Sequence, residues 1–414
     1  MKGIKSVIGL LLILKFSEAA YNCSYQTGIC SVDKQSISAS EPFVVNRENA
    51  SSVTLLVLSD GYMPQPPPTI FTKYPELNLL SIANMSLQEI SSNVFTNAKK
   101  LISLLIMRGQ LTTLNNGTFS GCENLQSLQV TNQKLSSIDI MAFQGLKNLQ
   151  NLYLSNNQLT FIHPLVLATL PKLMNFNIDY NLLTEIDSQQ FISNPVLYGV
   201  NFNSNQLKIL PNNLFQAQKF LGSFYAADNQ LITAQSFGAS YVDVKNNKIR
   251  NFTLSSGEST VHIQNNLIRK IICSSTNLTV QRFYADNNFL TNFLCIRDMV
   301  NLTDLSVVNN KMPRPTKTPF LKLTKVRAFQ MYNMTRFSTV LPKVFSPMVS
   351  LSNLRVDRLA AYKNLNITLP KVSILALTTT TWNCTYLSSV NSILKSQRII
   401  LVFNIGSDRS RCTL

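Results

Sequence analysis

A repeated pattern of leucines is the feature that most constrains this chain. The segment LQNLYLSNNQLTFI fits the template LxxLxLxxNxLxxI, with fixed positions at Leu149, Leu152, Leu154, Asn157, Leu159 and Ile162. A shift of 24 residues recovers the pattern from Leu77, Leu101, Leu125, Leu173, Leu197 and Leu221, and in weaker form from Val53. Later copies, at spacings of 18 to 25 residues, start near Ala239, Glu258, Val280, Leu302, Val326, Leu351 and Val372. About fifteen copies therefore span most of the chain, which predicts a stack of repeats.

Each part of the template has a structural role. Its LxL alternation predicts a short strand that buries the leucines and turns the residues between them outward. The turn after the strand leaves backbone groups inside the stack, where Asn can both donate and accept hydrogen bonds. We expect this asparagine ladder at Asn157, Asn181, Asn205, Asn229, Asn247, Asn266, Asn288 and Asn310. We expect it to fail at Met85, Gly109, Gln133, Met334, Leu359 and Thr380. Core phenylalanines should fill the convex side at Phe95, Phe119, Phe143, Phe191 and Phe215.

These motifs resemble the leucine-rich repeat family. The resemblance implies an α/β leucine-rich repeat solenoid: a curved parallel sheet on the concave face, short helices and irregular turns on the convex face, and disulfide caps. Repeats from Ala239 to Leu302 lack room for a full convex helical turn, so we expect the curvature to change there. The expected order is a signal peptide at 1–19, an N-terminal cap at 20–52, repeats at 53–380 and a C-terminal cap at 381–414.

The N-terminal sequence predicts export. Basic residues precede the apolar run Val7 to Leu14, and small residues surround a cut after Ala19, which is the layout of a secretory signal peptide. No later stretch has the length of a membrane span, so we expect a secreted, extracellular protein. Sequons for N-glycosylation agree with this route, although an Asn-rich chain also forms some by chance; they lie at Asn22, Asn49, Asn84, Asn116, Asn251, Asn277, Asn301, Asn333, Asn366 and Asn383.

The seven cysteines divide by their place in the repeats. Cys273 and Cys295 occupy the same position of consecutive repeats, 22 residues apart. Equivalent residues of stacked strands lie about 4.8 Å apart, so we predict a disulfide between them. Cys122 falls where neighbouring repeats place buried residues, which indicates a buried thiol; the alternative is a surface thiol for an intermolecular bond.

The remaining cysteines lie at the ends of the chain. Cys23 and Cys30 resemble the disulfide-closed hairpin that caps extracellular leucine-rich proteins. Cys384 and Cys412, which follow Trp382, resemble a reduced version of the common C-terminal cap. No recognised zinc-ligand spacing and no CxxC motif occur, so we expect no metal site and no cofactor.

Charge is distributed unevenly along the chain. The formal net charge is +17, and residues 301–414 hold 16 basic and 3 acidic residues, whereas the N-terminal half is nearly balanced. This asymmetry predicts a basic surface that meets an anionic partner, such as a glycan, a microbial envelope, a membrane surface or an acidic protein. The alternative is a face that only maintains solubility. The candidates are Arg314, Lys317, Lys322, Lys325, Arg327, Arg336, Arg355, Arg358 and Lys363.

The concave sheet is the second candidate surface. Its outward column is predicted as Gln129, Tyr153, Asn177, Asn201, Tyr225, Asp243, His262, Tyr284, Ser306, Gln330 and Arg355, with Tyr180, Tyr198, Tyr241 and Arg282 beside it. Tyr and Asn with a few charges are typical of binding surfaces, although exposed strands also carry such residues without a ligand. Catalysis is not expected, because the two histidines and the few clustered acids form no pair of base and nucleophile in the sequence. The nearest constellation is His262 beside Asp243, with Ser306 in the same column.

The secreted array, the NNQL, NNKI, NNLI and NNFL segments, the single front hairpin and the paired cysteines in late repeats resemble insect, particularly mosquito, leucine-rich immune proteins. The resemblance implies circulation in haemolymph, and either recognition of microbes or a scaffold for complement-like thioester proteins. Longer members carry a C-terminal coiled coil that joins two chains. Because no heptads occur here, we expect a coil-less member and no covalent heterodimer. The alternatives are an adhesion or signalling ligand or co-receptor in development, and an inhibitor that wraps an enzyme. Nucleic acid is not an expected partner.

Overall fold

The computed structural model describes residues 20–40, 42–45, 52–316, 318–336, 339–359, 369–377 and 384–403. In chain order the strands are β1 (Ala20–Tyr21), β2 (Ser24–Gln26), β3 (Ile29–Asp33), β4 (Val44–Val45), β5 (Leu55–Ser59), β6 (Leu79–Ala83), β7 (Ser103–Met107), β8 (Thr113–Leu114), β9 (Ser127–Thr131), β10 (Ser137–Ile138), β11 (Asn151–Tyr153), β12 (Asn175–Asn177), β13 (Gly199–Asn201), β14 (Ser223–Tyr225), β15 (Thr233–Gln235), β16 (Tyr241–Asp243), β17 (Asn251–Leu254), β18 (Thr260–His262), β19 (Lys270–Cys273), β20 (Arg282–Tyr284), β21 (Asp304–Ser306), β22 (Ala328–Met331), β23 (Thr339–Val340), β24 (Asn353–Val356), β25 (Arg358–Leu359), β26 (Ile374–Leu377) and β27 (Ile400–Phe403). The helices are α1 (Ile70–Lys73), α2 (Leu165–Ala168) and α3 (Cys384–Ser396), with 3-10 turns at Ile296–Asp298, Thr318–Phe320 and Pro342–Phe345.

One parallel sheet runs along the array. It pairs β3, β5, β6, β7, β9, β11, β12, β13, β14, β16, β18, β20, β21, β22, β24, β26 and β27 in that order, each beside the next. The repeats therefore stack without a change of direction, and the predicted leucine-rich repeat solenoid is confirmed.

The asparagine ladder holds the turns after these strands. In a typical repeat, Asn181 Nδ2 donates to the carbonyls of Leu154 (2.9 Å) and Ile178 (3.1 Å), while its Oδ1 accepts the N–H of Leu159 at 3.0 Å. The same pattern recurs along the ladder to Asn310, and these side chains are buried. Each asparagine thereby satisfies groups of its own repeat and of the repeat before it.

The ladder extends one repeat further than the sequence predicts. Gln133 replaces asparagine, yet its Oε1 accepts the Leu111 N–H at 3.2 Å and its Nε2 donates to the Thr131 carbonyl at 3.3 Å. The longer amide thus bonds two of the groups that asparagine bonds in the other repeats, so the predicted failure at Gln133 is only partial. Gly109 leaves room for that side chain, because a Cβ there would collide with Gln133 Oε1.

Phenylalanines form the convex core as predicted. Phe95, Phe119 and Phe143 lie in successive repeats with ring centroids 5.8 and 5.9 Å apart, and Phe191 stacks on Phe215 at 5.4 Å. All five side chains are buried, and Leu167 takes the equivalent place between the two groups. These rings belong to the hydrophobic core and form no cofactor site.

The shorter repeats change the convex side. In place of helical turns, β15, β17 and β19 pair as a second parallel sheet of three strands. The following repeat returns to a 3-10 turn at Ile296–Asp298. The disulfide Cys273–Cys295 joins the end of β19 to that turn, with Cα atoms 5.9 Å apart, as the repeat positions predict. It therefore links the two kinds of convex structure.

The other cysteines also follow the sequence. Strands β2 and β3 form an antiparallel hairpin that the Cys23–Cys30 disulfide closes. Cys122 is free and buried, and burial raises the pKa of its thiol to about 12. The helix at the C-terminal end, α3, buries Val390 and Leu394 and lies beside β27. The Cys384–Cys412 pairing and the signal peptide at 1–19 lie outside the described residues.

Candidate functional site: the concave face

The predicted outward column is continuous in the structure. Each member is the direct strand partner of the next, from Gln129 through His262 to Arg355. Tyr241 lies one column away, between Ser223 and Thr260. Neighbouring strands lie about 4.8 Å apart, so side chains of one column contact each other across the sheet.

Four rings form a row on this face, which we call the aromatic row: Tyr225, Tyr241, His262 and Tyr284. The ring centroids are 5.2 Å apart for Tyr225 and Tyr241, 5.4 Å for Tyr241 and His262, and 4.7 Å for His262 and Tyr284. Each side chain is half-buried. Because the rings pack on each other, they present apolar area at a small cost in side-chain entropy.

A cationic edge borders the row. Asp243 is buried and accepts a hydrogen bond from Lys245 Nζ at 2.9 Å, and this bond raises the pKa of Lys245. On β20, two strands along the sheet from Asp243, the exposed Arg282 donates from Nε to Thr260 Oγ1 at 3.2 Å. The lysine charge is balanced by Asp243, whereas Arg282 is exposed and forms no ion pair within the described residues, although Asp304 is its strand partner on β21.

The surroundings of the row disfavour the charged forms of three of its rings. Burial lowers the pKa of His262, and the charges of Lys245 and Arg282 lower it further, against an opposing effect of Asp243 and a hydrogen bond to Gln264. Burial is also the main cause that raises the phenol pKa values of Tyr241 and Tyr284. A neutral, partly desolvated ring surface suits contact with an apolar or aromatic partner side chain.

The predicted asparagines of the face are held by the protein itself. Asn177 Oδ1 accepts the N–H of Asp179 at 3.0 Å, and Asn201 Oδ1 accepts the N–H of Asn203 at 3.0 Å. Asn201 Nδ2 also donates to Asp179 Oδ2 at 3.1 Å. Tyr153, next to Asn177, is half-buried and has no ring partner among the described residues. This part of the face therefore presents a fixed polar surface beside the aromatic row.

The possible catalytic constellation does not come together. His262 and Asp243 are strand neighbours, but Tyr284 separates His262 from Ser306. Ser306 Oγ instead donates to Asp286, whose pKa burial raises while that hydrogen bond opposes the rise. No group of three or more His, Cys, Asp or Glu side chains with metal-binding geometry occurs in the described part of the chain.

The basic residues lie on different sides of the coil. Lys322 forms an ion pair with Asp298 at 2.9 Å after a convex 3-10 turn, and Lys325 donates to Asn301 Oδ1 at 2.7 Å. Arg355 lies on the concave face with its guanidinium 4.6 Å from the Tyr332 ring centroid. Five members are exposed, namely Arg314, Lys322, Lys325, Arg327 and Arg336. The side chains of Lys317, Arg358 and Lys363 lie outside the described residues. Binding of an anionic partner here stays a prediction.

The sequon asparagines are mostly accessible. Exposed members are Asn22, Asn84, Asn116, Asn251, Asn277 and Asn333. Asn301 is half-buried and bonded by Lys325, whereas Asn49, Asn366 and Asn383 lie outside the described residues. Glycosylation at these positions stays a prediction.

Sequence reasoning missed a second ladder of amides on the surface. The asparagines before the buried ones donate in sequence, Asn265 to Asn246, Asn287 to Asn265 and Asn309 to Asn287, at 2.6–2.9 Å. The signal was present in the NN pairs, of which only the second member was given a role. These first asparagines have φ near 55°, a left-handed conformation that asparagine tolerates well.

The open concave sheet, the buried asparagine ladder and the convex phenylalanine stack define a leucine-rich repeat protein that presents a binding scaffold. The family model described as BspA type Leucine rich repeat region matches residues 88–222, in six copies. No curated protein sequence matches the chain. In the described part of the chain, no helix combines the length and apolarity that a bilayer crossing requires.

Solved structures share this fold at low sequence identity. A chain of the Drosophila Toll–Spatzle complex is similar with a TM-score of 0.67 and 16% identity, over 85% of this chain and 51% of that chain. This chain therefore spans about half of that one. A leucine-rich repeat protein of Leptospira interrogans gives 0.66 and 18% identity, over 85% and 90%. A chain of the mosquito LRIM1/APL1C complex gives 0.56 and 13% identity, over 94% and 72%.

Proposed function

We propose that this chain is a secreted leucine-rich repeat binding protein of innate immunity, which holds a protein partner on its concave face. The observation that carries the proposal is the aromatic row. Its rings are packed, half-buried and neutral, and a cationic edge lies beside them. Such clusters supply most of the binding energy of protein interfaces, while surrounding polar groups exclude water and set the orientation.

The immune role rests on the similarity to solved structures and on the sequence features of export. One similar structure is a complex of LRIM1 with APL1C, and another is described as a hub in Drosophila development and innate immunity. The leader-like N-terminus and the exposed sequons support an extracellular location. We therefore expect a partner in haemolymph, and a complement-like thioester protein is the first candidate.

Affinity capture from haemolymph tests this proposal. The bait is the tagged wild-type chain, compared with Tyr241→Ala/Tyr284→Ala and with the control Tyr62→Ala/Phe161→Ala. The control removes two aromatic side chains that are 52% and 40% exposed and lie outside the row. Loss of two central aromatic contacts should weaken binding at least about 30-fold, because one such contact contributes about 2 kcal/mol.

Mass spectrometry should identify a thioester protein with the wild-type and control baits and not with the row variant. Equal recovery by all three baits would refute the use of the concave face. Reproducible recovery of a different partner, lost only with the row variant, would retain the face and refute the thioester assignment.

A developmental signalling role is the second candidate. It is favoured by the similarity to a chain of the Toll–Spatzle complex, which covers 85% of this chain. In that case, capture from epithelial or neural secretions should recover a protein receptor through the same row. Expression that rises after infection in fat body or haemocytes would favour the immune role instead.

A further inference from the structure

Two cavities lie along the turns through which the chain leaves the concave strands, and none of their lining residues belongs to the aromatic row. The first, of about 450 Å³, lies between two rows of side chains. One row holds the exposed asparagines Asn265, Asn287 and Asn309, and the other holds Leu267, Phe289 and Lys311, which each follow a buried asparagine. The second, of about 500 Å³, is lined by Arg250, Asn251, Leu267, Arg269 and Phe289. Leu267 and Phe289 line both cavities, so they form a shared apolar ridge. We call the two cavities and this ridge the lateral groove.

The surface amides give one wall of the groove a fixed polarity. Asn246 donates to Asp228 Oδ1 at 2.7 Å, and each later asparagine donates to the one before it. Since a carboxylate only accepts, Asp228 sets the direction of the whole ladder. An amide carries two N–H groups and two acceptor lone pairs. Each internal member therefore keeps one donor and one acceptor for a ligand.

Cations line the opposite side and the end of the groove. Arg250 and Arg269 are exposed and form no ion pair within the described residues, and Lys311 Nζ lies 4.7 Å from the Phe289 ring centroid. No acidic side chain lines either cavity. Unbalanced cations at a concave surface raise the local concentration of anions and favour their binding.

We propose that the lateral groove binds a segment of an acidic polysaccharide. The ladder amides would bond to sugar hydroxyls, the Leu267–Phe289 ridge would contact the C–H faces of the rings, and Arg250 and Arg269 would bind carboxylate or sulfate groups. Three steps of about 4.8 Å along the ladder give about 14 Å, enough for a short oligosaccharide. Nucleic acid fits less well, because the ladder amides offer donors and acceptors that match sugar hydroxyls, whereas phosphate oxygens only accept.

The sequon at Asn251 bears directly on this site. Asn251 is exposed and lines the arginine-containing cavity, so an attached glycan would occupy the space that we assign to the ligand. The binding experiment therefore uses the wild-type chain together with an Asn251→Gln variant. Binding that is stronger in the variant supports the assignment, because the glycan and the ligand would compete for one groove.

Titration calorimetry with defined oligosaccharides tests the proposal. The probes are a heparin-derived hexasaccharide, which carries sulfates, a hexagalacturonate, which carries only carboxylates, and neutral isomaltohexaose. At least one acidic probe should bind, and its identity assigns the acidic group, while the neutral probe should not bind. Arg250→Glu/Arg269→Glu should weaken binding at least about tenfold, since it removes two charge-assisted contacts and places negative charge beside an anionic ligand.

Two controls separate a built site from the general effect of net charge. Lys147→Glu/Lys219→Glu makes the same change in net charge at exposed lysines outside both candidate surfaces, and it should weaken binding less than about threefold. Asn287→Leu keeps the net charge but interrupts the amide ladder, and it should still weaken binding measurably. Circular dichroism confirms that each variant is folded.

Three results would overturn the proposal. Equal losses in both charge-reversal variants would assign the affinity to net charge alone. A single-stranded DNA oligonucleotide, or vesicles with anionic phospholipid, that bound more tightly and responded to Arg250→Glu/Arg269→Glu would replace the polysaccharide with another ligand. Absence of binding by both the wild-type and Asn251→Gln chains would remove the site. None of these results affects the aromatic row, so the two proposals fail independently.

Discussion

The replacement Asn181→Ala tests the physical basis of the stacked turns. Asn181 is 4% exposed, its Oδ1 accepts the N–H of Leu159, and its Nδ2 donates to the carbonyls of Leu154, Ile178 and Asp179. The three carbonyls each keep a second donor, from Asn157, Asn205 and the Asn156 N–H. Leu159 N–H has no other partner within the described residues.

The cost therefore comes mainly from one orphaned buried donor. Such a donor costs about 1–3 kcal/mol, so with the weakened carbonyl bonds we expect a loss of about 2–4 kcal/mol in the free energy of unfolding. The assay is urea unfolding followed by far-UV circular dichroism, with hydrogen exchange of peptides around residue 159 to locate the loss. The control Asn213→Ala removes an exposed amide without a hydrogen bond and should change stability by less than about 0.5 kcal/mol. A loss of under about 1 kcal/mol for Asn181→Ala, or no local change in exchange, would refute this reasoning.

Three further predictions concern other parts of the chain. Cys273→Ser/Cys295→Ser should lower the free energy of unfolding by about 3 kcal/mol in oxidising buffer, from the 22-residue separation, measured by urea unfolding. Tyr180→Asn should raise it by about 0.5–1 kcal/mol, because Tyr180 has φ of 52° and asparagine tolerates that conformation better. The lowered pKa of His262 disfavours the charged ring in the folded state, so its contribution to stability is present above its ordinary pKa near 6.5 and is lost as the pH falls through the lowered value. NMR titration of His262, with unfolding of His262→Gln across the same pH range, measures this effect.

Each of these predictions has a result that contradicts it. The disulfide estimate is wrong if the free energies of unfolding of the wild type and the double serine variant differ as much in reducing buffer as in oxidising buffer. The backbone argument fails if Tyr180→Asn is neutral or destabilising. The pH argument fails if the His262 ring titrates above its ordinary value, or if the His262→Gln variant loses as much stability on acidification as the wild type does.

The sequence predicted the repeated core well because its determinants are local. The LxL strands, the buried asparagines and the convex phenylalanines recur at fixed spacing, and their side chains need only the neighbouring repeats. The same counting placed Tyr225, His262 and Tyr284 in one column and paired Cys273 with Cys295. Gln133 shows the limit of such counting, since a longer amide can perform part of the role of asparagine in a position where the template fails.

The features that the sequence did not reveal depend on contacts between repeats. Strands β15, β17 and β19 form only because three short repeats pair with each other on the convex side. The surface amide ladder depends on side chains that point along the coil from one repeat to the next. The predicted basic residues do not form one continuous surface. Lys322 pairs with Asp298 after a convex turn, whereas Arg355 lies over Tyr332 on the concave face. The spacing of residues along the chain does not show in which direction their side chains point in the folded coil.

Hydroxyl-radical footprinting of the protein with its captured partner tests the central claim most directly. The measurement compares oxidation rates of the tyrosines, read by mass spectrometry, in the free and bound states. We predict that Tyr225, Tyr241 and Tyr284 react more slowly when the partner is bound, while the exposed Tyr62 keeps its rate. Unchanged rates along the aromatic row, with protection confined to other faces of the coil, would contradict the assignment of the concave face as the binding surface.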